Sequence, residues 1–333
     1  MLHFDKLIHC IDVHVGGEPL RIVRDGFPKI PGGTMMAKRE YAMQHLDWLR
    51  KLVMFEPRGH NDMYGCIPTE PVTEDGDLGV LFMHAEGFST MCGHGIMGSV
   101  HALAETGALF VDEGDNEINV DTPAGRVKVK LLYENKRVSE VRMENVYSFA
   151  YKTGIPVTLA SKTVLVDVAF GGSFFAFVDA EKLGIDVTPE NLRALLLAGN
   201  EIRHTLSKTL DITHPENPGI RGVYGTLIST PLIRKGNRLC AKSICVQNDA
   251  GYDRCPCGTG TSARMALLYA QNKLKPGMEF EHASLLGTTF TGRILATEGD
   301  GIIPEIAGKA NITGFYKIVV ADNDPFPEGF RII

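Results

Sequence analysis

The chain has 333 residues, 44% of them hydrophobic, and a dispersed formal net charge of −6. That length supports two ordinary buried cores. The charge offers no basic stripe for nucleic acid, and no apolar run approaches the roughly 20 residues that cross a bilayer. The seven cysteines, Cys10, Cys66, Cys92, Cys240, Cys245, Cys255 and Cys257, form an odd, irregularly spaced set. Such a set fits reduced thiols better than a disulfide framework. The opening MLHFDKLIHC lacks the cationic, apolar and small-residue regions of a secretory signal. A cytoplasmic protein acting on a small molecule, with no nucleic-acid or membrane partner, is expected.

In chain order, a β-branched strand signal at 21–23 precedes a helical pattern over 40–52, whose apolar residues recur at three- and four-residue spacings. A strand signal at 79–83 leads to a second helical pattern over 96–109. Strand signals follow at 126–132, 163–169 and 174–178. The third helical pattern covers 261–274, and strands at 293–296 and 317–320 complete the set. Glycine (36) and proline (17) are scattered, so no low-complexity linker marks a boundary. Strands interrupted by a few helices predict an α+β fold.

A weak internal echo organises this series. Cys92-Gly93-His94-Gly95 opens the second helical pattern, and Cys257-Gly258-Thr259-Gly260 opens the third. The first N–H groups of a helix have no acceptor within it and carry partial positive charge. Adjacent glycines let a ligand approach that backbone closely, so a carboxylate can bind there without a cationic side chain. A thiol at such a point is held below its usual pKa of about 8.5. Two such ends serving one substrate suit removal of an α-proton from one face of an amino acid and return of a proton to the other. The helix-end N–H groups would stabilise charge that moves onto the carboxylate.

A bland reading stands beside this one, since most isolated cysteines are small buried hydrophobes. That reading is the default for Cys10, Cys66, Cys240 and Cys245, and it remains open for Cys92 and Cys257. The pair Cys255/Cys257 has one intervening residue, fewer than zinc pairs usually have, and no second pair accompanies it. No metal site is expected.

At these motifs the sequence resembles the proline racemase family. The matching blocks are MCGHG at 91–95 and DRCPCGTGTSA at 253–263, the latter departing from the family's usual form, which has Ser where Cys255 stands. DVHVGGEPLRIV near the start, MFEPRGHNDMYG at 54–65, FGGSFFAFV at 170–178, LGTTFTG at 286–292 and ITGF at 312–315 extend the match nearly end to end. The resemblance implies the diaminopimelate epimerase-like fold, with two similar α/β domains and the active site in the cleft between them. Residues 1–150 plus 316–333 would form the first domain, carrying Cys92, and 151–315 the second, carrying Cys257. It further implies no pyridoxal phosphate, metal or nucleotide cofactor, and a homodimer.

Position by position, Cys92 and Cys257 match the family's two acid/base cysteines. Gly93, His94, Gly258 and Thr259 match residues whose backbone N–H groups hold the substrate carboxylate. His94 and Asp253 match residues at the ring nitrogen, and a carboxylate independently suits a secondary ammonium. Tyr64 and Gln247 stand where racemases place aromatic residues around the proline ring. His60 is a further candidate substrate contact, although Arg58-Gly59 beside it reads as a turn.

The family contains proline racemases, 4-hydroxyproline 2-epimerases and trans-3-hydroxy-L-proline dehydratases. Dehydratases typically carry Thr at the second cysteine position, since no second thiol is needed to reprotonate Cα. Cys257 therefore favours an inverting racemase or 2-epimerase. The segments at 54–65, 78–87, 165–186 and 214–226 look more like dehydratases, which makes dehydration, with Cys92 as the base, the alternative. An unpartnered buried Gln247 amide would cost about 1–3 kcal/mol and would favour a hydroxylated ring, unless the side chain turns away. A non-catalytic binder of proline analogues is the third reading.

Overall fold

The structure is a computed structural model that describes residues 4–160, 162–247 and 251–332; the expected domain ends at residues 1 and 333 lie outside them. The chain divides into two compact units, Met1–Met143 with Lys309–Ile333, and Glu144–Gly308. Both crossings fall a little ahead of residues 150 and 315.

In the first unit, β1 (Phe4–Val15) and β2 (Glu18–Asp25) form a hairpin. Helices α1 (Met35–His45) and α2 (Asp47–Met54) follow, then β3 (Tyr64–Thr69), β4 (Leu78–His84) and the short β5 (Gly87–Ser89). Helix α3 (Gly93–Glu105) leads to β6 (Gly114–Thr122), β7 (Gly125–Glu134) and β8 (Arg137–Glu144). The helical pattern over 40–52 is thus two helices. Leu46 leaves the helical region while its buried side chain keeps the apolar spacing running through the break.

The second unit begins with β9 (Phe149–Thr158), β10 (Thr163–Phe170) and β11 (Phe174–Asp179), then α4 (Ala180–Leu183) and α5 (Leu192–Thr209). Strands β12 (Gly225–Ser229), β13 (Ile233–Lys235) and β14 (Arg238–Val246) precede α6 (Gly258–Ala270). Strands β15 (Glu279–Ala283), β16 (Thr289–Glu298) and β17 (Gly301–Gly308) close it. The final strand, β18 (Ala310–Ala321), pairs antiparallel with β1 of the first unit. Helix α5 was not among the expected elements, although Leu195, Ala198, Ile202 and Leu206 give it a buried face at helical spacing.

The echo in sequence is a repeat in topology. From β1 through β2, β3, β4 and β6 to β8, successive pairings run antiparallel, parallel, antiparallel, parallel, antiparallel, antiparallel. The series from β10 through β11, β12, β14 and β15 to β17 repeats that order step for step. Each unit wraps its strands about one helix. In α3 every residue from Gly93 to Ala104 is buried, and α6 is buried from Gly260 to Leu268. A helix hemmed in on all sides is rich in apolar and small residues, as GHGIMGSVHALA and GTSARMALL are apart from the buried His94, His101 and Arg264.

Candidate active site

In the first unit Cys92 is the N-cap of α3, and its Sγ accepts the Gly95 N–H at 3.3 Å. A side chain at Gly95 would put its Cβ 2.9 Å from a Phe82 ring atom and 3.1 Å from that sulfur. Glycine there lets the helix start lie against β4. The Cys92 sulfur sits 3.2 Å from His94 Nδ1. His94 is buried, which pushes its pKa down to about 4. Burial thus favours the uncharged form of the ring. Tyr64 lies edge-on to the His94 ring with centroids 4.8 Å apart, and its hydroxyl is fixed by Ser89 Oγ at 2.6 Å. His60 is exposed in the loop between α2 and β3. Its neighbour Arg58 ties that loop to the backbone of Val319 and Phe326 and pairs with Asp324.

In the second unit Cys257 is the N-cap of α6, and its Sγ accepts the Gly260 N–H, again at 3.3 Å. Thr259 Oγ1 lies 3.7 Å from the same sulfur. The cap differs from that of α3 in one respect: Cys257 has φ +66°, a conformation few residues other than glycine adopt. The Cys255 sulfur accepts the Cys257 N–H at 3.4 Å, which gives Cys255 a structural role in this turn.

Around Cys257 the structure adds a residue that sequence reading had set aside. One donor atom from each of Cys245, Asp253 and Cys257 lies within 4.8 Å of the other two. A hydrogen bond from Cys245, with lesser ones from Asp253, Gly260 and Thr259, outweighs burial and brings the Cys257 thiol down to about 7. Burial, with the Cys257 charge, pushes the Asp253 carboxyl well above the usual carboxylate range. Cys245 lies on β14, where Ser243, Ile244, Cys245 and Val246 are all buried and no alternation marks its direction. Its pairing with a helix cap twelve residues on could not be read from the sequence either.

Gln247 corrects an expectation. Its Nε2 donates to Asp253 and its Oε1 accepts the Tyr224 hydroxyl at 3.4 Å. The amide is satisfied by the protein, so it supplies no argument for a ring hydroxyl. Tyr224 is a second residue that sequence reading did not single out.

Helix α6 is also anchored from behind. Thr261 Oγ1 donates to the Cys257 carbonyl at 2.6 Å and meets His282 Nδ1 at 2.8 Å, while His282 Nε2 meets Ser243 Oγ at 2.6 Å. Among the described residues, no helix is long and apolar enough to cross a membrane.

With this geometry in place, the family model described as proline racemase matches residues 10–331. The chain belongs to the proline racemase family. A family relative named trans-3-hydroxy-L-proline dehydratase, from Bacillus cereus, is 41% identical over 331 residues, covering 98% of each chain. A proline racemase from Acetoanaerobium sticklandii is 40% identical, covering 99% of this chain and 100% of that one. A crystal structure of a hydroxyproline epimerase from Agrobacterium vitis, with bound trans-4-hydroxy-L-proline, matches with a TM-score of 0.89. It is 25% identical and covers 100% of this chain and 96% of that one. The protein is therefore an α+β enzyme of a family that holds both isomerases and a hydro-lyase.

Proposed function

We propose that the protein inverts Cα of a proline-ring amino acid, hydroxyproline or proline, by a two-thiol acid/base mechanism. The observation that carries this reading is the second thiol: Cys257 caps a buried helix start and titrates near neutrality, at about 7. A thiol that populates both thiolate and thiol at working pH can take a proton from one enantiomer and return it to the other.

In this mechanism the backbone N–H groups of Gly93, His94, Gly258 and Thr259 hold the substrate carboxylate and stabilise charge gathered there as the Cα–H bond breaks. One sulfur removes the proton while Cys92 or Cys257, whichever lies on the other face, supplies one. Asp253 receives the ring nitrogen. Burial raises its pKa, and the cationic ring ammonium would favour the carboxylate form. His94, neutral, orients Cys92 and offers a hydrogen bond to the substrate, with Tyr64 packed against its ring. Gln247 holds Asp253, and His60 lies further out as a substrate contact on a loop.

A second reading, dehydration of trans-3-hydroxy-L-proline, is favoured by the 41% identity to a relative of that name. There Cys92 removes the α-proton as the 3-hydroxyl leaves, and Cys257 need not reprotonate Cα.

One measurement separates the readings. The protein is incubated in deuterated water with L-proline, trans-4-hydroxy-L-proline and trans-3-hydroxy-L-proline, and followed by NMR. Inversion places deuterium at Cα and yields the epimer, whereas dehydration consumes only the 3-hydroxy substrate. Cys92→Ser and Cys257→Ser should each lose inversion by several orders of magnitude. Full activity in either variant would sink the two-thiol mechanism.

A further inference from the structure

Inversion, as proposed above, uses one thiol on the second unit. The structure sets a second thiol, that of Cys245, beside it. We propose that Cys245, Asp253 and Cys257 form a binding site for a thiophilic divalent cation of the zinc class, whose occupation blocks the enzyme. The inhibitory consequence rests on Cys257 being catalytic; the binding does not.

The donor set carries the inference. Two thiol sulfurs and one carboxylate are the ligands that zinc and cadmium select over magnesium or calcium. Zinc takes sulfur at about 2.3 Å and carboxylate oxygen at about 2.0–2.2 Å in tetrahedral geometry, which separates ligands by roughly 3.5–3.8 Å. Donor atoms already within 4.8 Å of one another need only a small inward adjustment. They come from strand β14 and from the turn that leads into α6, which the fold brings together. Cys245 and Cys257 belong to one apolar cluster with Phe175, Phe177 and Leu227, which leaves a bound ion little room for a full water shell. Three protein ligands leave the fourth position for solvent or a substrate carboxylate.

Binding exchanges protons for metal. Protons held on the two thiols and on the Asp253 carboxyl, up to three in all, pass to solvent as two metal–sulfur bonds and one metal–oxygen bond form. No electron transfer is involved. The Cys257 electron pair is then committed to the ion and cannot accept the Cα proton. Cys255 stays outside, because its sulfur accepts the Cys257 N–H and it is absent from the converging group.

The test titrates reduced full-length protein with cadmium chloride and follows thiolate-to-cadmium charge-transfer absorption in the near ultraviolet. One equivalent should saturate the band, and zinc chloride should displace it. Cys245→Ala and Cys257→Ala should each abolish it, while Cys92→Ala and Cys255→Ala keep it. Far-ultraviolet circular dichroism of Cys245→Ala and Cys245→Ser establishes that a lost band reflects a lost ligand. In turnover, the zinc concentration for half inhibition should rise at least about tenfold in Cys245→Ser, as expected when a metal ligand is weakened. A wild-type protein with no saturable band, or a band that survives Cys245→Ala, overturns the proposal. If no proline-ring substrate reacts while the band behaves as described, the catalytic reading fails and the metal site stands.

Discussion

His282 offers a quantitative test of how α6 is held. Its ring is fully buried between Ser243 Oγ and Thr261 Oγ1, and burial drives its pKa down to about 3. An unfolded histidine titrates near 6.5. The folded pKa is the lower one, so the unfolded chain gains a proton that the native state refuses as pH falls below about 6.5. Stability contributed by the neutral ring is complete at neutral pH and drains away as acid is added, until about pH 3. Integrating between pH 7 and pH 4.5 gives a loss of about 2.5 kcal/mol from this one group. Replacing it by a non-titrating amide, His282→Gln, costs stability at every pH through lost packing and hydrogen bonding. The pH dependence, however, should flatten by that same amount. Urea unfolding of both proteins across this range measures it, and the slope difference isolates His282 from carboxylates that also lose their partners in acid. Two parallel pH profiles would refute the burial of a neutral ring at this position.

Other expectations follow from the two caps. Alkylation of Cys257 by iodoacetamide should accelerate through an inflection near pH 7, where about half is thiolate against about 1% for a thiol titrating near 9. Cys10, pushed up to about 12 by burial, should be labelled in that range only after denaturation. Peptide mapping after timed labelling checks both. Gly260→Ala would place a Cβ 3.0 Å from the Cys257 sulfur and 3.1 Å from Leu227. It should cost about 1–3 kcal/mol of stability and slow Cys257 alkylation, whereas unchanged labelling would mean the sulfur does not depend on that close approach.

How far the sequence could be read follows from the range of the interactions involved. Strands such as β10 and β11 announce themselves through β-branched and aromatic runs, because burial on a pleated surface is a local demand. The Cys-Gly-x-Gly steps likewise point to helix starts, since capping is settled within four residues. The break at Leu46 carries no glycine or proline and is imposed by packing, so a continuous helical pattern conceals it. The partnership of Cys245 with Cys257, and the capture of Gln247 by Asp253 and Tyr224, depend on which strand lies behind which helix. Spacing alone does not encode that. The Gln247 side chain illustrates the hazard: reading it as an unpartnered amide presumed a neighbourhood that the fold supplies differently.

The φ of +66° at Cys257 reaches beyond the geometry of one cap. Left-handed backbone is costly for any residue with a Cβ, and more so for one branched there, because its second γ atom crowds the chain. Threonine, which the family resemblance associates with dehydration at this place, is branched in that way. Cysteine could give way to it here only if the turn from Cys255 to Cys257 relaxed in the same step. The shape of that turn therefore restricts which side chains a single substitution can install at this cap, and a branched replacement would have to begin in the backbone rather than at the sulfur.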